Sequence, residues 1–135
     1  MFKVGFFLVL IVLIGGCADK KSHSLNNERV LISQQRASLL RPYLPQKFGK
    51  VTLESVRVSD SSELVLFFKS NDINMDSAQF LNAYKVAVCH DREATMLLDS
   101  GLVYRLTMMT NHSNSELHEE IVNDTHCQKI NNNLS

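Results

Sequence analysis

Behind Lys3, a run of about 11 mostly apolar residues from Val4 to Ile14 stops at Gly15-Gly16-Cys17. A membrane-spanning helix needs about 20 apolar residues, so the run is too short to cross a bilayer and reads as a secretory leader, 1–16, cleaved before Cys17. That reading sets both the size and the compartment of the fold. About 119 residues remain, enough for one compact domain with a single core. The domain matures where thiols oxidise. Beyond Cys17 only Cys89 and Cys127 are left, and such a pair is expected to form a disulfide. It would close a loop of roughly 38 residues, for which chain entropy predicts up to about 4 kcal/mol. That is a large share of a small domain's stability.

The sequence Ile14-Gly15-Gly16-Cys17 resembles the lipobox of bacterial lipoproteins, whose cysteine is lipid-modified on sulfur and acylated, as with palmitate, on its new amino terminus. One chain binds a bilayer marginally, at about 0.8 kcal/mol per buried methylene, whereas several make a permanent anchor. Ala18 follows the cysteine where retained lipoproteins often carry Asp. The resemblance therefore implies transfer by the lipoprotein sorting machinery to the periplasmic face of the outer membrane, with Asp19 one place later as the contrary feature. Residues 17–23 read as a lipidated tether, 24–130 as the domain and 131–135 as a disordered tail.

Composition excludes several activities. With Lys3 gone, 13 basic residues face 14 acidic ones, a net charge of about −1. No basic run or glycine-rich phosphate loop is present, so nucleic acid is not an expected partner. Cys89-His90 and His126-Cys127 make a two-sulfur, two-imidazole inventory, yet adjacent ligands seldom both reach one tetrahedral ion, and no metal or cofactor is expected. His23, His112 and His118 show no HExxH spacing. There is no GxSxG elbow and no tryptophan for a sugar platform. Glu119-Glu120, on a strand, would face opposite ways. No catalytic residues are assigned.

Periodicity gives the elements. Val30, Ala37, Leu40 and Leu44, with an adjoining stripe of Ile32, Leu39 and Tyr43, predict a helix from Leu25 to about Arg41, capped by Ser24 and ended by Pro42. Its apolar arc is wider than one packing side needs, which leaves Leu31, Leu39 or Tyr43 to spare. Lys50–Val58 and Glu63–Lys69 read as a hairpin turning at Ser59–Ser62, the second strand apolar on both faces and hence central. Phe80, Leu81, Tyr84, Ala87 and Val88 predict a helix over Asp76–Cys89, with Asn74 or Asp76 as cap. A short helix over Arg92–Asp99 closes at Gly101. A strand over Leu102–Met109 then turns at His112–Ser115 into a partner, Glu116–Asn123, that buries Leu117 and Ile121. The expected fold is α+β: a single antiparallel sheet of about four or five strands with helices packed on it and a Cys89–Cys127 disulfide.

Phe80-Leu81-x-x-Tyr84 leading to Cys89, the short helix closing at Gly101, the hairpin opening Val103-Tyr104 and the closing Thr125-x-Cys127 together resemble the β-type pilotins of type II secretion, the AspS group. The resemblance covers essentially the whole mature chain; His90 and His126 are not part of its pattern. It implies the same fold and disulfide. It also implies a role: gripping the C-terminal segment of a secretin, the outer-membrane channel, and carrying it to that membrane through the pilotin's own lipid. An amphipathic helix needs an apolar groove with a polar rim. Leu31, Leu39 and Tyr43 beside Phe80 and Tyr84 form the preferred candidate, and the second sheet face, with Val65, Phe67, Val103 and Met109, the other. Ordinary core is the alternative for each residue. Two rival functions are a lipoprotein inhibitor of an envelope lytic enzyme, for which Asn111–Asn114 is the only candidate plug, and an envelope hydrolase.

Overall fold

The computed structural model describes residues 20–110 and 117–134. The expected leader, Cys17 and the turn expected over His112–Ser115 lie outside the described residues. In chain order the elements are α1 (Lys20–Leu40), a single 3-10 turn (Arg41–Tyr43), β1 (Gln46–Phe48), β2 (Val51–Val58), β3 (Leu64–Ser70), α2 (Ser77–His90), α3 (Arg92–Asp99), β4 (Tyr104–Thr110), β5 (Leu117–Val122) and α4 (Asp124–Asn133). The strands form one sheet in the order β1-β2-β3-β4-β5 with the helices packed on it. This is the α+β plan expected of the sequence.

Leu64, Val65, Leu66 and Phe68 are all buried, and β3 is the middle strand. The sheet is mixed rather than wholly antiparallel, because β3 and β4 run parallel with Leu64 opposite Tyr104. Parallel neighbours cannot be joined by a tight turn; α2 and α3 supply the crossover. The register gathers Leu53 and Val56 of β2, Leu66 and Phe68 of β3, Leu106 and Met108 of β4 and Val122 of β5 on the face that carries the helices. α1 lies over β2 and β3, and α2 over β4 and β5.

β5 is in the opposite phase from the one expected. Val122 pairs with Tyr104 and is buried, whereas Leu117 is 53% exposed. A one-residue change of phase exchanges the two faces of a strand. Glu120, placed on the helix side by this register, meets Lys85 of α2 at 2.7 Å. Glu120 keeps more than a third of its side chain exposed there, so this phase buries no unpaired charge.

The helix ends follow from local hydrogen bonds. Asp76 caps α2 by accepting from the Gln79 amide at 3.0 Å. Asp91 ends α2 and caps α3 through the Ala94 amide at 3.0 Å. Gly101 has φ +104°, and the Arg29 side chain lies 3.4 Å from where a Cβ would sit. That contact is ordinary, so it is the left-handed conformation that asks for glycine there.

α1 begins at Lys20, so Ser24 lies inside it rather than capping it, and residues 20–23 are helical where a tether is expected. Its most buried positions are small. Ser33 and Ala37 are fully buried, and Ser33 Oγ donates to the Ser62 carbonyl at 2.7 Å, which ties α1 to the hairpin tip.

Two elements have no sequence signal. β1 is three residues long, follows the cis Leu44–Pro45 peptide and brings Phe48 to the core. α4 occupies Asn131–Asn133, where a frayed tail is expected. Its apolar content is only Cys127 and Ile130, too little for a stripe. Asn123 caps it, accepting from the His126 amide at 2.9 Å, and the Cys89–Cys127 disulfide, with Cα atoms 5.1 Å apart, fastens it to α2.

Phe68 is fully buried at the centre of the sheet's helix face. Truncating a buried Phe to Ala costs about 3–5 kcal/mol. Phe68→Ala is expected to lower the unfolding free energy by that amount in denaturant titration; a loss under about 1 kcal/mol would contradict this packing.

Candidate functional site

α1 turns Leu31 and Leu39 outward, eight residues apart on one face, with exposures of 54% and 57%. Together with Gln34, Gln35 and Ser38 they line a shallow depression along the helix. Tyr43, on the 3-10 turn that follows, is 72% exposed. Leu40 and Leu44 point inward instead and are half-buried against the core. The wide apolar arc of this helix is therefore split between an inner and an outer side.

Phe80 and Tyr84 lie in a different environment from those three residues. Both are half-buried and pack on Phe68, at ring-centroid distances of 5.3 and 4.9 Å, while Tyr84 also meets Phe48 at 5.7 Å. The edge-on geometries suit aromatic quadrupoles. Burial pushes the Tyr84 phenol up to about 12, so it is a neutral hydrogen-bonding group at any ordinary pH. The structure thus joins Leu31 with Leu39 and Phe80 with Tyr84, and separates the two pairs.

Between α1 and α2 runs a valley that periodicity does not reveal. Arg36 and Leu40 form one wall, Tyr84, Ala87, Val88 and Asp91 the other, and Tyr104 lies in the floor. Arg36 Nε donates to the Tyr104 hydroxyl at 3.1 Å, and Nη1 pairs with Glu93 at 3.2 Å. Burial raises the Tyr104 pKa, while neighbouring Arg36 opposes the rise. The hint in the sequence is the i, i+4 spacing of Arg36 and Leu40, which puts them on one side of α1.

The second sheet face is less open than its composition suggests. Val65 is 3% exposed, Phe67, Val103 and Met109 are half-buried, and Arg105 bridges Glu63 at 2.6 Å and Glu119 at 3.0 Å. These ion pairs place charge over the apolar residues.

The disulfide takes both sulfurs of the Cys/His inventory. His90 bonds through Nδ1 to the Val86 carbonyl at 2.7 Å, and His126 Nδ1 is buried without a hydrogen-bond partner among the described residues. No group of three or more His, Cys, Asp or Glu side chains there is placed to hold a metal. No helix among the described residues is long and apolar enough to cross a membrane.

Residues 26–127 match the family of type II secretion system (T2SS) pilotin S proteins. Two solved structures are similar to this fold. The pilotin EpsS from the Vibrio vulnificus type 2 secretion system superposes with a TM-score of 0.68 at 22% identity, covering 78% of this chain and 97% of that one. The type II secretion system pilotin AspS from Vibrio cholerae gives 0.66 at 24% identity, covering 78% and 98%. No curated protein matches the chain. The chain belongs to the T2SS pilotin S-protein family, envelope-associated accessory proteins rather than enzymes.

Proposed function

We propose that this protein is an outer-membrane lipoprotein pilotin: it binds the C-terminal segment of a type II secretin and delivers that subunit to the outer membrane for assembly. The match of residues 26–127 to the pilotin family carries the reading. The exposed apolar face of α1, with Leu31, Leu39 and Tyr43, supports it. An amphipathic segment laid on that face buries its apolar stripe against these residues and leaves its polar side in water. Large side chains with more than half of their surface exposed gain most from such burial, at about 25 cal/mol per Å² of apolar area.

Cys17 supplies the address in this reading. Lipid on Cys17, three residues before α1, holds the domain at the membrane. The sorting machinery carries protein and client together to the periplasmic face of the outer membrane. The pilotin's contribution is contact and placement, with no bond made or broken.

Two outcomes test this. In cells, Cys17→Ser is expected to leave the protein able to co-purify with the secretin yet remove the secretin from the outer-membrane fraction; normal secretin localisation in that strain would falsify the piloting role. On the docking face, Leu39→Asp or Tyr43→Asp should weaken secretin capture by at least about tenfold, or ~1.4 kcal/mol, with an unchanged melting curve. Undiminished capture by both variants would remove the α1 face from the interface.

A further inference from the structure

The face of the sheet turned away from the helices carries cations that no acid answers. In register, Lys47, Thr52, Lys69, Met109 and Leu117 form one row across all five strands, and Arg57, Val65, Arg105 and Ile121 form another from β2 to β5. Arg105 is engaged by Glu63 and Glu119. Lys47, Arg57 and Lys69 have no carboxylate within ion-pair distance among the described residues. The one acid on the strands that is likewise unpaired there is Glu54, exposed at the bulge between Leu53 and Ser55.

Charge and apolar surface are segregated on this face. The three unpaired cations lie on β1 to β3, whereas Met109, Leu117 and Ile121 lie on β4 and β5, with Leu117 53% exposed. Such a face gains most from a partner that offers negative charge and apolar volume side by side. A second copy of the chain does not: a two-fold contact here sets the cations against one another or against apolar side chains, with nothing to neutralise them. An anionic lipid bilayer offers both, headgroup phosphates for the cations and acyl chains for the apolar half. Lys and Arg lay their aliphatic stems along an apolar surface and keep the charged head outside it, which suits that boundary.

We infer that the second sheet face docks on an anionic phospholipid surface, with Lys47, Arg57 and Lys69 among the headgroup phosphates and Met109 and Leu117 at the acyl boundary. Each basic side chain beside an anionic leaflet strengthens attachment about fivefold. In this pose α1 and α2, on the opposite side of the sheet, point away from the bilayer and stay open to a protein partner. The inference takes from the pilotin reading only the tether at Cys17, three residues before α1, which brings a bilayer within reach.

The chain has no tryptophan, so a single one introduced by substitution is a unique reporter. Ser55→Trp places it on the second face, in a strand that favours aromatic residues, and Asn82→Trp places it on the exposed side of α2. Each full-length lipoprotein is reconstituted into vesicles whose lipids carry bromine on the upper acyl chain, made of phosphatidylcholine alone or of an equal mixture with phosphatidylglycerol. Ser55→Trp emission is expected to fall at least about twofold in the mixed vesicles, to recover at high salt, and to change little in phosphatidylcholine. Asn82→Trp emission should stay constant in both. Replacing Lys47, Arg57 and Lys69 together by Gln, at an unchanged melting temperature, should abolish the quenching, and Glu54→Lys, which adds a cation, should deepen it. Absence of Ser55→Trp quenching in the mixed vesicles, or equal quenching of the two reporters, overturns the docking. Persistence of the quenching in the Gln variant, or no deepening in Glu54→Lys, overturns the role of the cations. A blue shift of Ser55→Trp that grows with protein concentration in the absence of vesicles assigns the face to a second copy and overturns the lipid contact. Failure to float with phosphatidylcholine vesicles overturns the tether of the pilotin reading, while quenching in the mixed vesicles still decides the docking.

Discussion

The contact of Phe68 with the underside of α2 governs how the helices lie on this sheet. Phe68 projects from the central strand and is touched by Phe48, Phe80 and Tyr84, with ring centroids 4.9–6.3 Å away. Such edge-on contacts contribute about 0.5–1.5 kcal/mol each beyond the area they bury. They fix α2 from below, while the disulfide to Cys127 and the Lys85–Glu120 pair fix it towards α4 and β5. α1 is secured by its buried small residues Ser33 and Ala37, by Arg36 on Glu93 and Tyr104, and, through the 3-10 turn that follows it, by Arg41 Nε donating to the Val56 carbonyl at 3.2 Å. The two helices leave a valley between them on the sheet, lined by Arg36, Leu40, Tyr84 and Ala87.

Charge is used in this molecule mainly to clamp elements together. Arg36 joins α1 to α3 through Glu93, Lys85 joins α2 to β5, and Arg105 joins β4 to Glu63, just before β3, and to Glu119 of β5. Most of these pairs are partly exposed, and each contributes at most about 1 kcal/mol. They set geometry more than stability.

Elements with strong periodicity were legible from the chain alone. Leu64–Phe68 reads as a central strand because both of its faces are apolar, and Gly101 marks the close of α3, whereas the Asp91 cap at its start was not read from the chain. The parallel pairing of β3 and β4 was not legible, because strand patterns carry no sign of direction. The phase of β5 also escaped, since Leu117 and Ile121 form the more apolar alternate set, yet the interior takes Val122, while Glu120, still more than a third exposed on the same side, pairs with Lys85. α4 lacks a stripe and is held by one disulfide. For the docking surface, exposure of Leu31, Leu39 and Tyr43 followed from the width of the apolar arc. The inward turn of Phe80 and Tyr84 did not, since helical spacing shows that residues share a face and not which neighbour covers it.

The central claim is that the helical side of this domain, and not its second sheet face, receives the secretin. Site-specific photocrosslinking in living cells tests it most directly, with the reactive side chain placed at Leu31 on the outer face of α1, at Ala83 on α2, or at Arg57 on the second sheet face. The account predicts secretin adducts in the outer-membrane fraction from Leu31 and Ala83 and none from Arg57. Adducts from Arg57 alone, or from none of the three, would contradict it.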